Sequence, residues 1–251
     1  MKQFKTYSIS LFALAAAFTA SPAKAGEMVE PIVVVEEETS LIAPMTGAVA
    51  VGYDSKYYFR GTNFGKNAPW AEVDLSVPLG AFTIDAGAWY INPTSPDGAI
   101  LSNDNDELDL YISATTTLGV VDLWVGYTAY IYPEFGSGST NEIGAGVGTS
   151  LWILDLGFGY YHDFDLETNY FEYSIGTSMD LNDFTAANIG VVLGHFGSND
   201  FHGVVSGGLD FALTDAATLS AYIAYNFVGT AKRNRGFEDG LFGGASISVG
   251  F

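Results

Sequence analysis

The chain ends with the stretch LFGGASISVGF, residues 241–251, in which apolar side chains recur at every second position. Leucine, alanine, isoleucine, valine and phenylalanine lie on one face, and glycine and serine fill most of the other. Successive side chains of a β-strand point to opposite faces, so this alternation predicts a strand with one apolar face. The same alternation occurs in TLSAYIAYNF, residues 218–227, and in DLYISATTTL, residues 109–118.

Twelve alternating runs can be counted from Thr46 onward. Most are long enough for a tilted membrane strand, which needs about 9–11 residues. Short turns and longer polar loops alternate between them, as expected for an antiparallel barrel with turns on one side and loops on the other. The sequence therefore predicts an all-β fold, a transmembrane antiparallel up-and-down β-barrel of about 12 strands over residues 46–251. The predicted strands cover residues 46–59, 68–78, 81–91, 106–118, 120–132, 140–151, 153–164, 169–180, 184–196, 200–213, 216–228 and 237–251. The predicted longer loops cover residues 60–67, 92–105, 133–139, 165–168, 197–199 and 229–236.

The N-terminus has the pattern of a secretory signal peptide. Lys2 and Lys5 precede an apolar stretch at residues 9–18, and Ala23 and Ala25 supply the small residues of a cleavage site. The apolar stretch is too short to cross a bilayer as a helix. We therefore predict export from the cytoplasm, with cleavage after Ala25.

The remaining segments complete the predicted domain organisation. Residues 1–25 are the signal peptide, residues 26–45 form an acidic periplasmic tail, and residues 46–251 form the barrel. The sequence has no cysteine, which excludes disulfides, thiolate zinc sites and cysteine nucleophiles. Its net charge of −20 argues against nucleic acid as a partner.

Glycines and aromatic residues favour a membrane barrel over a soluble sandwich. Glycine is frequent on the polar face, where small residues fit a crowded or water-filled lumen, whereas in a soluble strand it would only weaken the sheet. Aromatic residues near the predicted strand ends match two interfacial girdles. The girdle residues are Trp70, Phe82, Tyr90, Tyr132, Phe164, Phe171, Phe184, Phe211 and Phe227. The terminal Phe251 resembles the signal by which bacterial outer-membrane barrels are assembled, so we expect the barrel-assembly machinery as a partner.

Three short motifs carry a family resemblance. They are YYFRG at residues 57–61, ELDLY at residues 107–111 and YIYP at residues 130–133. Together with the strand spacing, they resemble the TorF-type porin family, also called Gcw_chp proteins, over most of the chain after the signal peptide. The resemblance implies an outer-membrane β-barrel regarded as a porin. It implies no established substrate and no catalytic residues.

The polar face predicts what the interior contains. Five aspartates near the short turns should form an acidic belt at the periplasmic mouth, and carboxylate rings favour cations by Coulomb attraction. We therefore expect a passive channel for small solutes that prefers cations or neutral molecules. The predicted belt consists of Asp74, Asp85, Asp122, Asp155 and Asp210. The predicted lumen wall further out carries Glu72, Asp109, Glu142, Asp163, Glu172, Lys56 and Arg60.

Two basic features have structural interpretations. Arg60 is expected to pair with an inward acid such as Glu72 on the neighbouring strand and so to hold the first loop. Lys232, Arg233 and Arg235 lie in the last predicted external loop. That cluster either meets lipopolysaccharide phosphates or is simply solvated. Outer-membrane lipid, lipopolysaccharide and small solutes are the remaining expected partners.

Other functions remain open from the sequence. A non-conducting barrel would have its lumen filled by inward aromatic side chains, namely Trp89, Trp124, Tyr111, Tyr130 and Tyr222. A lipid hydrolase would need a Ser–His pair with an orienting acid, for which Ser198, His202 and Asp200 offer the residue types. His195 and His202 could contribute to a metal site, although no further ligands converge. We expect neither, and we predict no enzyme activity, cofactor or metal.

Overall fold

The computed structural model describes residues 45–97, 105–133, 138–197, 200–229 and 237–251. The predicted signal peptide and all of the acidic tail except Met45 lie outside the described residues. The basic cluster at residues 232–235 and Ser198 also lie outside them. The cleavage site, the tail and any role of these loop residues therefore stay predictions.

The described residues form one closed antiparallel barrel of twelve strands, in which each strand pairs with its sequence neighbours and β1 pairs with β12. This confirms the predicted all-β fold and the predicted strand number. No helix among the described residues is long and apolar enough to cross a membrane. The strands are β1 (Thr46–Phe59), β2 (Thr62–Leu79), β3 (Phe82–Ile91), β4 (Glu107–Leu118), β5 (Val121–Tyr132), β6 (Gly138–Leu151), β7 (Leu154–Asp163), β8 (Thr168–Asn182), β9 (Thr185–Phe196), β10 (Asp200–Ala212), β11 (Ala217–Val228) and β12 (Gly240–Gly250).

The apolar face of the strands points away from the barrel axis. Val51 on β1, Ile112 on β4 and Ile223 on β11 are 55%, 51% and 58% exposed. The alternate positions of the same strands face the interior, where Tyr222 donates a hydrogen bond across the β11–β12–β1 wall to Asp54. An apolar outer surface with a polar interior is the arrangement of a barrel surrounded by lipid. Closure also leaves no unpaired strand edge, which a membrane does not tolerate.

The prediction of a loop at residues 60–67 is wrong, because most of these residues belong to β2. The chain reverses in a two-residue turn at Arg60 and Gly61, whose φ angles are 47° and 86°. Positive φ at both central residues is typical of the tight turn that best matches the twist of a hairpin. Polar residues and a glycine suggested a loop in this segment, but pairing with β1 continues up to Phe59 and Thr62 across an irregularity at Tyr57/Tyr58.

Aromatic rings lie flat against the inner wall over glycines. A Cβ atom built on Gly146 would come 2.6 Å from the Trp124 ring, and one built on Gly144 would come 2.8 Å from the Tyr161 ring. The Trp70 ring covers Gly52 in the same way. Trp70 and Tyr132 share the inward face with the acids of their own strands, so their assignment to an outer girdle was wrong. These three inward glycines therefore make room for aromatic side chains.

Candidate functional site: the barrel lumen

The five belt aspartates lie on the inner face, each within five residues of the short-turn end of its strand. Neutral groups donate hydrogen bonds to four of them. Thr117 Oγ1 lies 2.6 Å from Asp122, and Ser150 Oγ lies 2.5 Å from Asp155. The other two contacts are Ser220 Oγ to Asp210 at 2.6 Å and the Tyr111 hydroxyl to Asp74. Asp85 lies diagonally across from Asp74, because its direct partner on β2 is Ser76.

Asp180 belongs to the same belt and was not among the predicted residues. Asp180 on β8 and Asp210 on β10 both pair with Ala186 on β9, so all three lie in one row on the inner face. The sequence contained the necessary signal, since Asp180 has the same period-two position as Glu172. It was missed because Asp180 fell on the boundary of the predicted strand. The belt thus occupies six of the twelve strands.

No basic residue opposes the belt within the part of the chain that the structure describes. The described lysines and arginines are Lys56, Arg60 and Lys66, and all three lie near the long-loop end of the β1–β2 hairpin. Lys56 and Arg60 already pair with carboxylates there. The short-turn half of the described lumen is therefore uniformly acidic, and the long-loop half contains the cations.

Arg60 forms the main ionic contact of the long-loop half, and its partner differs from the expected one. Its Nη1 and Nη2 donate to Glu142 Oε2 and Oε1 at 2.5 and 2.8 Å. The two side chains are only 10% and 3% exposed. Glu72, the predicted partner, accepts a hydrogen bond from Tyr111 at 3.3 Å instead. Nothing local in the sequence indicates Glu142, which lies 82 residues away.

Three aromatic rings surround the Arg60 guanidinium. Its central carbon lies 4.2 Å from the Tyr170 ring centroid, 4.7 Å from that of Tyr161 and 4.8 Å from that of Phe59. These distances are within the range of cation–π attraction, which strengthens when water is excluded. The Tyr130 hydroxyl donates to Glu142 at 3.1 Å and so orients the carboxylate.

The position of Glu142 shows that the hairpin tip crosses the lumen. Glu142 lies on β6, which is five strands from β1 in one direction and seven in the other. The opposite side of the tip contacts the remaining wall, because Asn226 Nδ2 on β11 donates to the Gly61 carbonyl at 3.3 Å. His202 on β10 packs so closely on Gly61 that a Cβ there would come within 2.8 Å. The Arg60–Gly61 turn therefore lies across the long-loop mouth.

Two loops hold the hairpin in this position. Lys56 Nζ lies 2.7 Å from Asp97 in the β3–β4 loop. Asn63 Nδ2 donates to Asp97 at 3.2 Å and to Glu238, in the β11–β12 connection, at 2.5 Å. The hydrogen bond from Lys56 is the main reason why the pKa of Asp97 lies below its ordinary value. Asn105 Nδ2 adds a hydrogen bond to the Phe64 carbonyl at 2.7 Å.

The remaining predicted acids of the wall point inward, and Asp109 and Asp163 are buried while Glu172 is half-buried. Asp163 Oδ1 accepts hydrogen bonds from the backbone N–H groups of Asp165 and Leu166 at 2.9 and 2.7 Å, which shapes the β7–β8 turn. Asp109 is 1% exposed. Glu172 accepts a hydrogen bond from the Tyr170 hydroxyl at 3.2 Å.

The two histidines considered for a metal site lie on opposite faces of the wall. His195 stacks on the outward Phe171 ring, whereas His202 points inward and shares a hydrogen bond of 3.0 Å with the Tyr170 hydroxyl. The sheet therefore separates the two rings, and they do not converge on one site. No group of three or more candidate metal ligands exists among the described residues.

This geometry defines the class of the fold, which is that of outer-membrane β-barrels. The COG4313 outer membrane channel from Pseudomonas putida F1 aligns with a TM-score of 0.54 and 9% identity, over 86% of this chain and 99% of that one. The NanC porin aligns with a TM-score of 0.50 and 11% identity, over 82% of this chain and 98% of that one. No protein family matches the sequence, and no curated protein matches it. The TorF-type resemblance therefore stays a prediction.

Proposed function

We propose that this protein is an outer-membrane channel for passive diffusion of small solutes, which favours cations and neutral molecules over anions. The carrying observation is the acidic short-turn half of the lumen, where the described residues include carboxylates and no lysine or arginine. The similar channel structures are consistent with this proposal through their fold. In an outer-membrane barrel the short turns face the periplasm and the long loops face the outside of the cell.

The size of the preference follows from Coulomb's law. A monovalent ion 5 Å from one carboxylate gains about 1.7 kcal/mol at an effective dielectric constant of about 40. An anion at the same place loses about as much. Salt weakens the interaction beyond about 10 Å at 0.1 M, so the narrowest acidic part of the lumen contributes most. Several aspartates at similar depth should therefore favour cations at least tenfold.

Reversal potentials in a potassium chloride gradient across a planar bilayer test the proposal. The triple variant Asp122→Asn, Asp155→Asn and Asp210→Asn should move the reversal potential toward zero. A clear anion preference of the unaltered protein would overturn the proposal.

A matched control removes the same charge from positions outside the lumen. Asp183, Asp215 and Glu167 are exposed residues of the turns. Their replacement by Asn, Asn and Gln should leave the reversal potential nearly unchanged. An equal shift in both triple variants would show that net charge, and not the belt, sets the preference.

Location and assembly are part of the same proposal. We infer export with cleavage after Ala25, which the mass of protein isolated from outer-membrane fractions would test. We also propose that Phe251 promotes insertion by the assembly machinery. Phe251→Ala should lower the heat-modifiable, folded fraction several-fold, whereas Leu241→Ala, which alters a similarly exposed side chain of the last strand, should not. Equal assembly of the two variants would contradict this role.

A barrel that does not conduct is the second candidate. The Arg60–Gly61 turn across the long-loop mouth favours it, because the turn contacts both sides of the wall. Absence of conductance in the unaltered protein and in a variant whose hairpin is released would support this candidate. Conductance in either one would support the channel.

A further inference from the structure

The binding site of the Arg60 guanidinium lies almost wholly on strands other than its own. Glu142 supplies a carboxylate fork from β6, and Tyr161 and Tyr170 supply ring faces from β7 and β8. Tyr130 on β5 orients the carboxylate. We call Glu142, Tyr130, Tyr161 and Tyr170 the guanidinium cage. A carboxylate paired in two hydrogen bonds together with aromatic faces is the combination that recognises planar organic cations.

The cage is buried and built before any solute reaches it. Glu142, Tyr130 and Tyr161 are 2%, 2% and 4% exposed, and Tyr170 is 1% exposed. The Tyr161 ring is supported by Gly144 and Gly159, which leave no space for it to move into the wall. Rings that are held in this way lose little freedom when a cation binds between them.

Arg60, which occupies the cage, lies in a strained turn. Arg60 has a φ of 47°, in the left-handed region where a residue with a Cβ atom is disfavoured. Strain of this kind persists when surrounding contacts outweigh it, and it is commonly found at functional positions. A free solute carrying the same group would make the same contacts without the strained backbone.

We propose that the guanidinium cage is a binding site for solutes that carry a guanidinium or a similar organic cation, and that Arg60 occupies it in their absence. This inference rests on the proposed function only for access, because a channel brings such solutes to the site. Displacement of Arg60 would free the turn from the far wall. The acidic belt at the other end would then attract the cation through the lumen.

Binding of methylguanidinium to the detergent-solubilised full-length protein, measured by isothermal titration calorimetry, tests the inference. Arg60→Gly removes the internal occupant and keeps the turn, because glycine adopts positive φ without strain. This variant should bind methylguanidinium at least tenfold more tightly than the unaltered protein. Equal affinity of the two proteins would overturn the proposal. Arg60→Asn, which also tolerates this backbone, is a second variant in case the first assembles poorly.

Two comparisons separate the cage from nonspecific attraction of cations. Methylurea has the same shape without the charge and should bind at least tenfold more weakly than methylguanidinium. Glu142→Gln in the Arg60→Gly background should weaken methylguanidinium binding at least tenfold. Unchanged binding in this double variant would overturn the proposal. Heat-modifiable migration confirms that each variant is a closed barrel.

Failure of this inference and failure of the proposed function give different results. Binding is measured without a membrane, and the ion preference is measured without an organic cation. Tight binding of methylguanidinium by a barrel that prefers anions would support the cage and contradict the proposed function. Cation preference without such binding would support the proposed function and contradict the cage.

Discussion

Replacement of Arg60 by glycine should release the tip of the β1–β2 hairpin from the far wall, which is formed by β6, β7 and β8, and should increase the conductance of the barrel. Arg60 contributes two charge-assisted hydrogen bonds and three cation–π contacts to the closed arrangement. Breaking a buried ion pair by removal of one partner costs about 3–5 kcal/mol. Relief of the left-handed backbone offsets about 1–2 kcal/mol of this cost. The net destabilisation of the closed mouth is therefore about 1–4 kcal/mol.

A change of that size should be visible in single-channel recordings. Each 1.4 kcal/mol changes an equilibrium constant about tenfold, so the ratio of closed to open mouths should fall at least about fivefold in Arg60→Gly. Arg60→Lys keeps the charge but loses the paired hydrogen bonds, and it should give an intermediate open probability. The reasoning is refuted if Arg60→Gly assembles normally and its open probability equals that of the unaltered protein.

Two further predictions concern packing and pH. Gly146→Val should destabilise the barrel by about 1–3 kcal/mol, measured by urea unfolding, because its Cβ would clash with the Phe158 carbonyl oxygen and lie 2.6 Å from the Trp124 ring. Gly148→Val is the matched control, since the nearest atom to a Cβ there is 3.8 Å away, and equal stability of the two variants would contradict the packing argument. The pKa of Asp97 is lowered by Lys56, so the contact is complete above pH 4 and is lost as the pH falls through the lowered pKa. Limited proteolysis of the β3–β4 loop should therefore accelerate below pH 4, and the Asp97→Asn variant should be cleaved rapidly at every pH. A pH-independent rate of cleavage of the unaltered protein would contradict this prediction.

The strands that alternate cleanly could be predicted from the sequence. β1 has the predicted bounds, residues 46–59, because apolar and small residues alternate along its first half without interruption. β2 begins at residue 62 instead of 68, since Asn63, Gly65 and Asn67 have the composition of a loop. Their strand structure depends on pairing with β1, and a single-strand pattern does not contain that information.

The alternation along each strand was enough to predict which residues face the lumen. Contacts between residues that are far apart in the sequence could not be predicted. Each belt aspartate lies on the face that alternation assigns. Trp70 was misplaced because its position near a strand end was weighed above its period, although Glu72 and Asp74 on the same face indicated the interior. The contact of Arg60 with Glu142 depends on how far the hairpin bends over the mouth. That bend arises from contacts with four or more strands, and no local pattern encodes it.

The pairing of the first strand with the last has a consequence for biogenesis. Gly47 and Phe251 exchange two backbone hydrogen bonds of 2.9 Å, and β1 and β12 pair along seven further positions. The ring of strands can therefore close only when β12 lies beside β1. A chain that lacked β12 would leave β1 with bare amide and carbonyl groups, which hydrocarbon cannot hydrate. The seam therefore makes a stable place in the membrane depend on the last strand of the barrel as much as on the first.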